Sequence, residues 1–194
     1  MFLSVPDESV FVGVHERSRR RVATALERLE STYGPFEVKE DRHEVVAQRY
    51  EAIRERFEAG SIGYAGVWVT NRMGEVLLID EAGRDGWSEP TGKHRPDERL
   101  AETALREVRE ETGVECEITG VALAHVVEMV DAESPARPPV VQLVLAFAGT
   151  HLEGTPEPGE ENIRQARWWS DHPKTLVFEG LRSIEIPASR DEVS

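Results

Sequence analysis

Glu107, Glu110 and Glu111 stand at i, i+3 and i+4 within the stretch from Gly92 to Val114, GKHRPDERLAETALREVREETGV. On a helix, at about 100° per residue, the three carboxylates share an arc of roughly 100°. Like charges so spaced repel by roughly 0.2–0.5 kcal/mol per pair even on an exposed helix. A divalent cation turns that repulsion into attraction. Hard oxygen donors with no Cys or His cluster beside them favour Mg²⁺ or Mn²⁺ over zinc. Any one of these glutamates could simply solvate a helix; the trio in register with Arg106, Glu98 and two glycines points to a shared site. Arg106 lies four residues before Glu110. Its guanidinium holds its proton too tightly to act as an acid, so it is expected to hold a carboxylate in place.

The flanking residues supply the helix that the spacing needs. Asp97 suits an N-cap, and Glu98 suits a first turn, where the helix dipole is positive. Leu100, Ala101, Ala104, Leu105 and Val108 recur at helical spacing as one apolar stripe. Gly113 suits the left-handed position that closes a helix.

Gly92, Glu98, Arg106-Glu107-Val108, Glu110-Glu111 and Gly113-Val114 fill the pattern G-x5-E-x7-R-E-U-x-E-E-x-G-U, where U is aliphatic. This resembles the Nudix box, the signature of hydrolases that cleave nucleoside diphosphates linked to another moiety. From composition, a chance match is on the order of 10⁻⁷ or less per window. The resemblance implies a Nudix-like α/β/α sandwich with a mixed sheet and attack of water at a substrate phosphorus. It implies that Glu107, Glu110 and Glu111 are the principal metal ligands. Gly92 would add a backbone carbonyl, and Glu98 an outer or occasional direct contact. The cofactor would be Mg²⁺, with Mn²⁺ as an alternative. One departure is Pro90-Thr91-Gly92, where many relatives read Pro-Gly-Gly; Thr91 removes no ligand but alters the approach to the site.

The general base in such hydrolases is often a glutamate outside the box. The loop GTPEPGEEN offers Glu157, Glu160 and Glu161, with Glu153 slightly earlier; Glu110 or Glu111 could serve instead. Substrate phosphates need donors, for which Lys93, His94, Arg95 and Arg84 are placed nearby in sequence. A base needs a stacking platform, for which Trp87, Phe147, Trp168 and Phe178 are candidates, although core packing is the commoner use of such rings. The six histidines show no metal-ligand spacing.

At 194 residues the chain suits one domain plus an extension: a helical N-terminal part over 1–61 and a hydrolase domain over 62–194. A net charge of −14 disfavours nonspecific nucleic-acid or anionic-membrane binding. Lysine occurs only at 39, 93 and 174, and that acidic, lysine-poor balance resembles proteins of salt-loving microbes. No apolar run reaches 18 residues, and Asp7 and Glu8 in the first stretch argue against a secretory signal. A single cysteine, Cys116, alternates with Val114 and Ile118 and reads as a buried strand position. These features lead us to expect a cytoplasmic protein.

The N-terminal part shows an apolar run, Val10 to Val14, then Val22, Leu26 and Leu29 on one helical face, broken at Gly34-Pro35. A second helix carries Val46, Tyr50, Ile53 and Phe57 and ends near Gly60. The arginines between 17 and 21 read as a solvated helix start rather than a phosphate contact. Strands are expected over 64–70 and 75–80, separated by a turn over 71–74, and over 116–130, 140–148 and 163–169. The segment 81–91 is expected as a loop. A second helix is expected in the tail after Asp171.

The substrate stays open among ADP-ribose or nucleotide sugars, nucleoside triphosphates and dinucleoside polyphosphates. Two other classes compete: a non-catalytic nucleotide-sensing module, and an isoprenoid diphosphate isomerase, which would need a catalytic cysteine. A homodimer is the expected assembly.

Overall fold

Continuous apolar runs, separated by Gly, Pro and Asn turns and buried on both faces, build the centre of the molecule as a sheet. The computed structural model describes residues 8–190. Its strands are β1 (Val38–Val45), β2 (Gly63–Thr70), β3 (Val76–Glu81), β4 (Trp87–Ser88), β5 (Thr91–Lys93), β6 (Glu115–Asp131), β7 (Val140–Glu153) and β8 (Ile163–Trp169). Its helices are α1 (Glu8–Tyr33), α2 (Ala47–Glu58) and α3 (Leu100–Thr112). The strands form one mixed sheet in the order β1-β6-β7-β2-β3-β4, with β5 pairing β2 and β8 pairing β3.

The parity of β7 sorts the layers. Val141, Leu143, Leu145 and Phe147 pack with Val22 and Leu29 of α1 and with Ala104 and Val108 of α3. Val140 and Val144 pack instead with Tyr50, Ile53 and Phe57 of α2. Farther along that second face, Trp68, Val76 and Leu78 are covered by Leu176, Leu181 and Ile186 of the C-terminal segment. This is the expected α/β/α sandwich with a mixed sheet.

The N-terminal part holds the two expected helices, and α1 takes in the Val10–Val14 run. It also holds a strand that periodicity did not reveal. β1, VKEDRHEV, is mostly exposed and charged, and it joins the sheet edge through main-chain pairing to β6 from Val38↔Ala124 to Val45↔Asp131. A charged edge strand protects the sheet from further pairing and carries no apolar alternation to be read. The arginines between 17 and 21 are exposed, as expected, but lie within α1 rather than at a helix start: Arg17 pairs with Glu58, Arg20 with Glu16, and Arg21 donates to the Phe57 carbonyl. Asp7 lies outside the described residues.

Two expectations are corrected. Among the described residues the tail forms no α-helix but two 3-10 segments, Glu179–Ser183 and Pro187–Arg190, where Pro173, Gly180 and Pro187 interrupt any helical stretch. The loop over 81–91 contains β4, whose Trp87 pairs with Asp80 and Ser88 with Ile79. Cys116 is a free, buried thiol in β6, raised to about 11 by burial. Among the described residues no helix is long and apolar enough to cross a membrane.

Candidate active site

α3 starts two residues later than expected. Its N-cap is Arg99, not Asp97, and the Arg99 N–H donates to Glu102 Oε2 at 2.7 Å. The reason lies in the preceding turn: the Glu98 N–H donates to the Arg95 carbonyl, while Arg106 holds the Glu98 carboxylate against the helix. Gly113 closes the helix as expected, in the left-handed conformation at φ 69°.

Arg106 gathers the carboxylates. It donates from Nε to Glu98 Oε1 at 2.8 Å and from a terminal nitrogen to Glu98 Oε2 at 3.1 Å. Its other terminal nitrogen reaches Glu107 Oε1 at 2.6 Å and Glu110 Oε2 at 3.0 Å. The Thr103 hydroxyl also donates to Glu98, at 2.7 Å. The Arg106 hydrogen bonds hold the Glu98 carboxyl down at about 2. Those same contacts raise the pKa of Arg106, so it stays charged.

Glu107 and Glu111 lie deeper. Glu111 is only 4% exposed and accepts a hydrogen bond from the Thr91 N–H at 2.9 Å. Burial first, and the Glu107 charge second, push its carboxyl up to about 9. Burial also raises Glu107. The Glu107 carboxylate occupies the space over Gly92, where a Cβ would lie 2.1 Å from its carboxyl carbon. Only glycine allows that approach. Glu110 is the most exposed of the trio, with 40% of its side chain accessible.

A cleft of about 510 Å³ opens over this floor. It falls inside the roughly 300–1,000 Å³ range of small-molecule sites. Glu81, Glu107, Glu111 and Glu160 line it, with Thr91, Gly92, Lys93, His94, Arg95 and Arg84. A larger hollow of about 690 Å³ lies between α1 and α3 but holds none of Glu107, Glu110 and Glu111. Glu107 and Glu111 line the smaller one.

No three Asp, Glu, His or Cys side chains among the described residues converge closely enough to ligate one cation. Arg106 draws Glu107 and Glu110, and the Thr91 N–H holds Glu111. The donor set nevertheless fits a hard divalent ion. The buried Glu111 and the half-buried Glu107 share the cleft with Glu81 and Glu160, whose charges further disfavour ionisation of Glu111. The oxygens of such a group suit Mg²⁺ or Mn²⁺.

Of the loop glutamates, Glu160 reaches the cleft; Glu157 and Glu161 are exposed and do not line it, and Glu153 ends β7 opposite Glu115. The loop is tied to α3 by its main chain, through the Glu157 N–H to Thr112 O and the Gly159 N–H to Glu111 O, both at 3.0 Å. Arg84 lines the cleft while paired with Glu81 at 2.9 Å. Arg95 lies 3.6 Å from Glu98. His94 is a strut: its Nδ1 accepts from the Ile62 N–H, leaving Nε2 to donate to the Glu98 carbonyl at 2.8 Å.

The aromatic candidates lie elsewhere. Trp87 is outside the cleft, edge-on to Trp169 at 4.8 Å with Arg167 over its ring. Phe147 is buried against Tyr33, Trp168 meets His151, and Phe178 stacks on His125. Sequence reasoning missed Glu81, Asn162, Arg56, Ser61 and Tyr64, all of which line the cleft. None belongs to a motif, and only the fold brings them there.

A family model for the NUDIX domain matches residues 62–173. The human protein "8-oxo-dGDP phosphatase NUDT18" is 33% identical over 115 residues, 58% of this chain and 32% of that protein. "Phosphatase NudJ" of Escherichia coli K12 is 29% identical over 123 residues, 62% of this chain and 76% of that protein. The chain spans about a third of the length of the NUDT18 proteins it matches. Among solved structures, the NUDIX domain of Shewanella oneidensis NrtR complexed with ADP ribose superposes with a TM-score of 0.49 at 18% identity, over 77% of this chain and 100% of that one.

Proposed function

The chain belongs to the NUDIX domain family, and on that footing we propose that it is a metal-dependent hydrolase of a phosphoanhydride bond in a nucleoside diphosphate derivative. The observation that carries this reading is the buried Glu111 and the half-buried Glu107, gathered with Glu81 and Glu160 in one cleft. Ionising four carboxyls around one cleft is costly, and a divalent cation among them would offset that cost.

Glu107, Glu110 and Glu111 would hold the ion, with the Gly92 carbonyl beside them. Bound Mg²⁺ or Mn²⁺ supplies charge neutralisation on the anhydride oxygens and a more acidic water. Arg106 keeps Glu107 and Glu110 aimed, and Glu98 anchors Arg106; with both its oxygens engaged, Glu98 serves as a support rather than a direct ligand. Glu160 is the loop glutamate positioned to take a proton from attacking water. Lys93, Arg95 and Arg84 would meet substrate phosphates.

The buried Cys116 supports this reading over an isomerase, since a thiol raised to about 11 in a packed strand is a poor catalyst. The full set of box carboxylates supports catalysis over sensing alone. The cytoplasmic setting and homodimer remain part of the proposal, and the acidic composition suggests activity in high salt.

The test is a panel of nucleoside triphosphates, ADP-ribose, nucleotide sugars and dinucleoside polyphosphates, assayed with Mg²⁺ and with Mn²⁺ across a range of KCl. Release of a nucleoside phosphate that stops on chelation is expected. Turnover that survives chelation, or none with any member of the panel, would overturn the proposal.

A further inference from the structure

The metal and anhydride chemistry accounts for the acidic floor of the cleft but leaves three groups on its wall unexplained. Arg56, from the end of α2, and Ser61, from the α2–β2 link, line the cleft together with Tyr64 and Lys93. The first two lie outside residues 62–173, the span matched by the family model.

This wall is firmly attached to the site. The Ser61 N–H donates to the Arg56 carbonyl at 3.0 Å, and the His94 N–H to the Gly63 carbonyl at 3.0 Å. The Ile62 N–H donates to His94 Nδ1 at 3.3 Å. Tyr64 stands opposite Lys93 in the β2–β5 ladder, so the two side chains share one face.

The charges on it are unusual for this molecule. In a chain of net charge −14, most arginines pair with a carboxylate, as Arg17, Arg54, Arg84, Arg99, Arg109 and Arg164 do. Among the described residues Arg56 has no such partner. It donates instead to the Tyr64 hydroxyl at 3.2 Å, with its guanidinium 5.5 Å from the centre of that ring. Ser61 is 7% exposed, and its buried hydroxyl has no hydrogen-bond partner. A buried, unsatisfied hydroxyl beside an uncompensated guanidinium is a donor set awaiting an acceptor.

We propose that Arg56, Ser61 and Lys93 form a subsite for a substrate phosphate beyond the scissile anhydride. On that arrangement, nucleoside triphosphates and dinucleoside polyphosphates are preferred to diphosphate-linked sugars. This rests on the hydrolase reading above and narrows its substrate class. A guanidinium, a hydroxyl and an ammonium lining one cleft are the donor types that phosphate oxygens take, and charge-assisted hydrogen bonds are the strong ones. Tyr64 holds the guanidinium in place and is a positioning residue.

The experiment compares ATP, diadenosine tetraphosphate and ADP-ribose on the full chain and on Arg56→Ala, Arg56→Gln, Arg56→Lys and Ser61→Ala. The unaltered protein should favour the two polyphosphates over ADP-ribose by about tenfold or more in kcat/KM. Arg56→Ala should raise KM for the polyphosphates about tenfold with kcat within about twofold, while kcat/KM for ADP-ribose falls less than about threefold. Arg56→Lys should recover part of the loss and Ser61→Ala should show a smaller one. Arg56→Gln retains a donor for Tyr64 but not the charge, and should behave like the alanine variant. Equal losses on all substrates, or none, would overturn the subsite.

A second readout stands apart from turnover. Inorganic tripolyphosphate should raise the thermal midpoint of the unaltered protein, and should do so less in Arg56→Gln. If no substrate is cleaved yet this shift appears, the hydrolase reading fails and the subsite stands; if cleavage occurs without the shift, the subsite fails alone.

Discussion

The carboxylate of Glu111, near the end of α3, accepts a hydrogen bond from the main-chain N–H of Thr91, the first residue of β5, at 2.9 Å. Twenty residues separate the two, and this contact seats the helix on the strand that carries Gly92. It is also the one hydrogen bond that favours ionisation of a carboxyl pushed up to about 9 by burial and by Glu107.

Replacing Glu111 with Gln should therefore separate activity from stability. Turnover should fall at least about 100-fold, the upper range for disturbing a metal site. Without added metal, the thermal midpoint at neutral pH should hold or rise, because Gln spares the folded protein the cost of protonating a buried carboxyl that is ionised in the unfolded chain. A variant that keeps near-normal turnover would take Glu111 out of the site.

Arg106 should tolerate neither Ala nor Lys. Alanine leaves Glu98, Glu107 and Glu110 without their shared partner, and unfolding free energy should drop by roughly 1–3 kcal/mol in denaturant titrations. Lysine, a point charge with no fork, cannot bond both Glu98 oxygens while reaching the other two carboxylates. Full rescue by lysine would show that the charge alone suffices.

Gly92→Ala tests the close approach. The added Cβ meets the Glu107 carboxylate at 2.1 Å, so that side chain must move. We expect a folded protein, destabilised by about 1–3 kcal/mol, with sharply reduced turnover. Unchanged kinetics would mean that Glu107 can act from another position.

Glu89 governs a pH dependence outside the site. It is 4% exposed, and burial raises its carboxyl from 4.5 to about 7. The folded protein therefore holds this proton where the unfolded chain releases it. The stability that Glu89 contributes is fully present below about pH 4.5 and is lost as pH rises to about 7, at most about 3 kcal/mol. Glu89→Gln should match the parent near pH 4.5 and exceed it in thermal midpoint at pH 8. Parallel curves for the two proteins would reject the assignment.

The strands over 64–70, 75–80 and 163–169 were legible because they are short segments rich in β-branched, aliphatic and aromatic residues with turn residues beside them. The box helix was legible for the same kind of reason, with its stripe and its Gly113 stop. β1 was not, since its pairing is carried by main-chain groups beneath charged side chains. The tail helix was over-read, because apolar spacing alone does not register how Pro and Gly shorten a helix.

Local rules placed Glu107, Glu110 and Glu111 on one face of one helix, because helical geometry follows from spacing within a dozen residues. The same rules identified Arg106 as their support. They had no means of reaching across the chain. That Glu160 rather than Glu157 or Glu161 enters the cleft, that Trp87 lies outside it, and that Arg56 and Ser61 stand on its wall are all consequences of how the sheet is ordered and covered. Such contacts join residues thirty to a hundred positions apart, and the energy that selects them belongs to the packed whole, not to any segment.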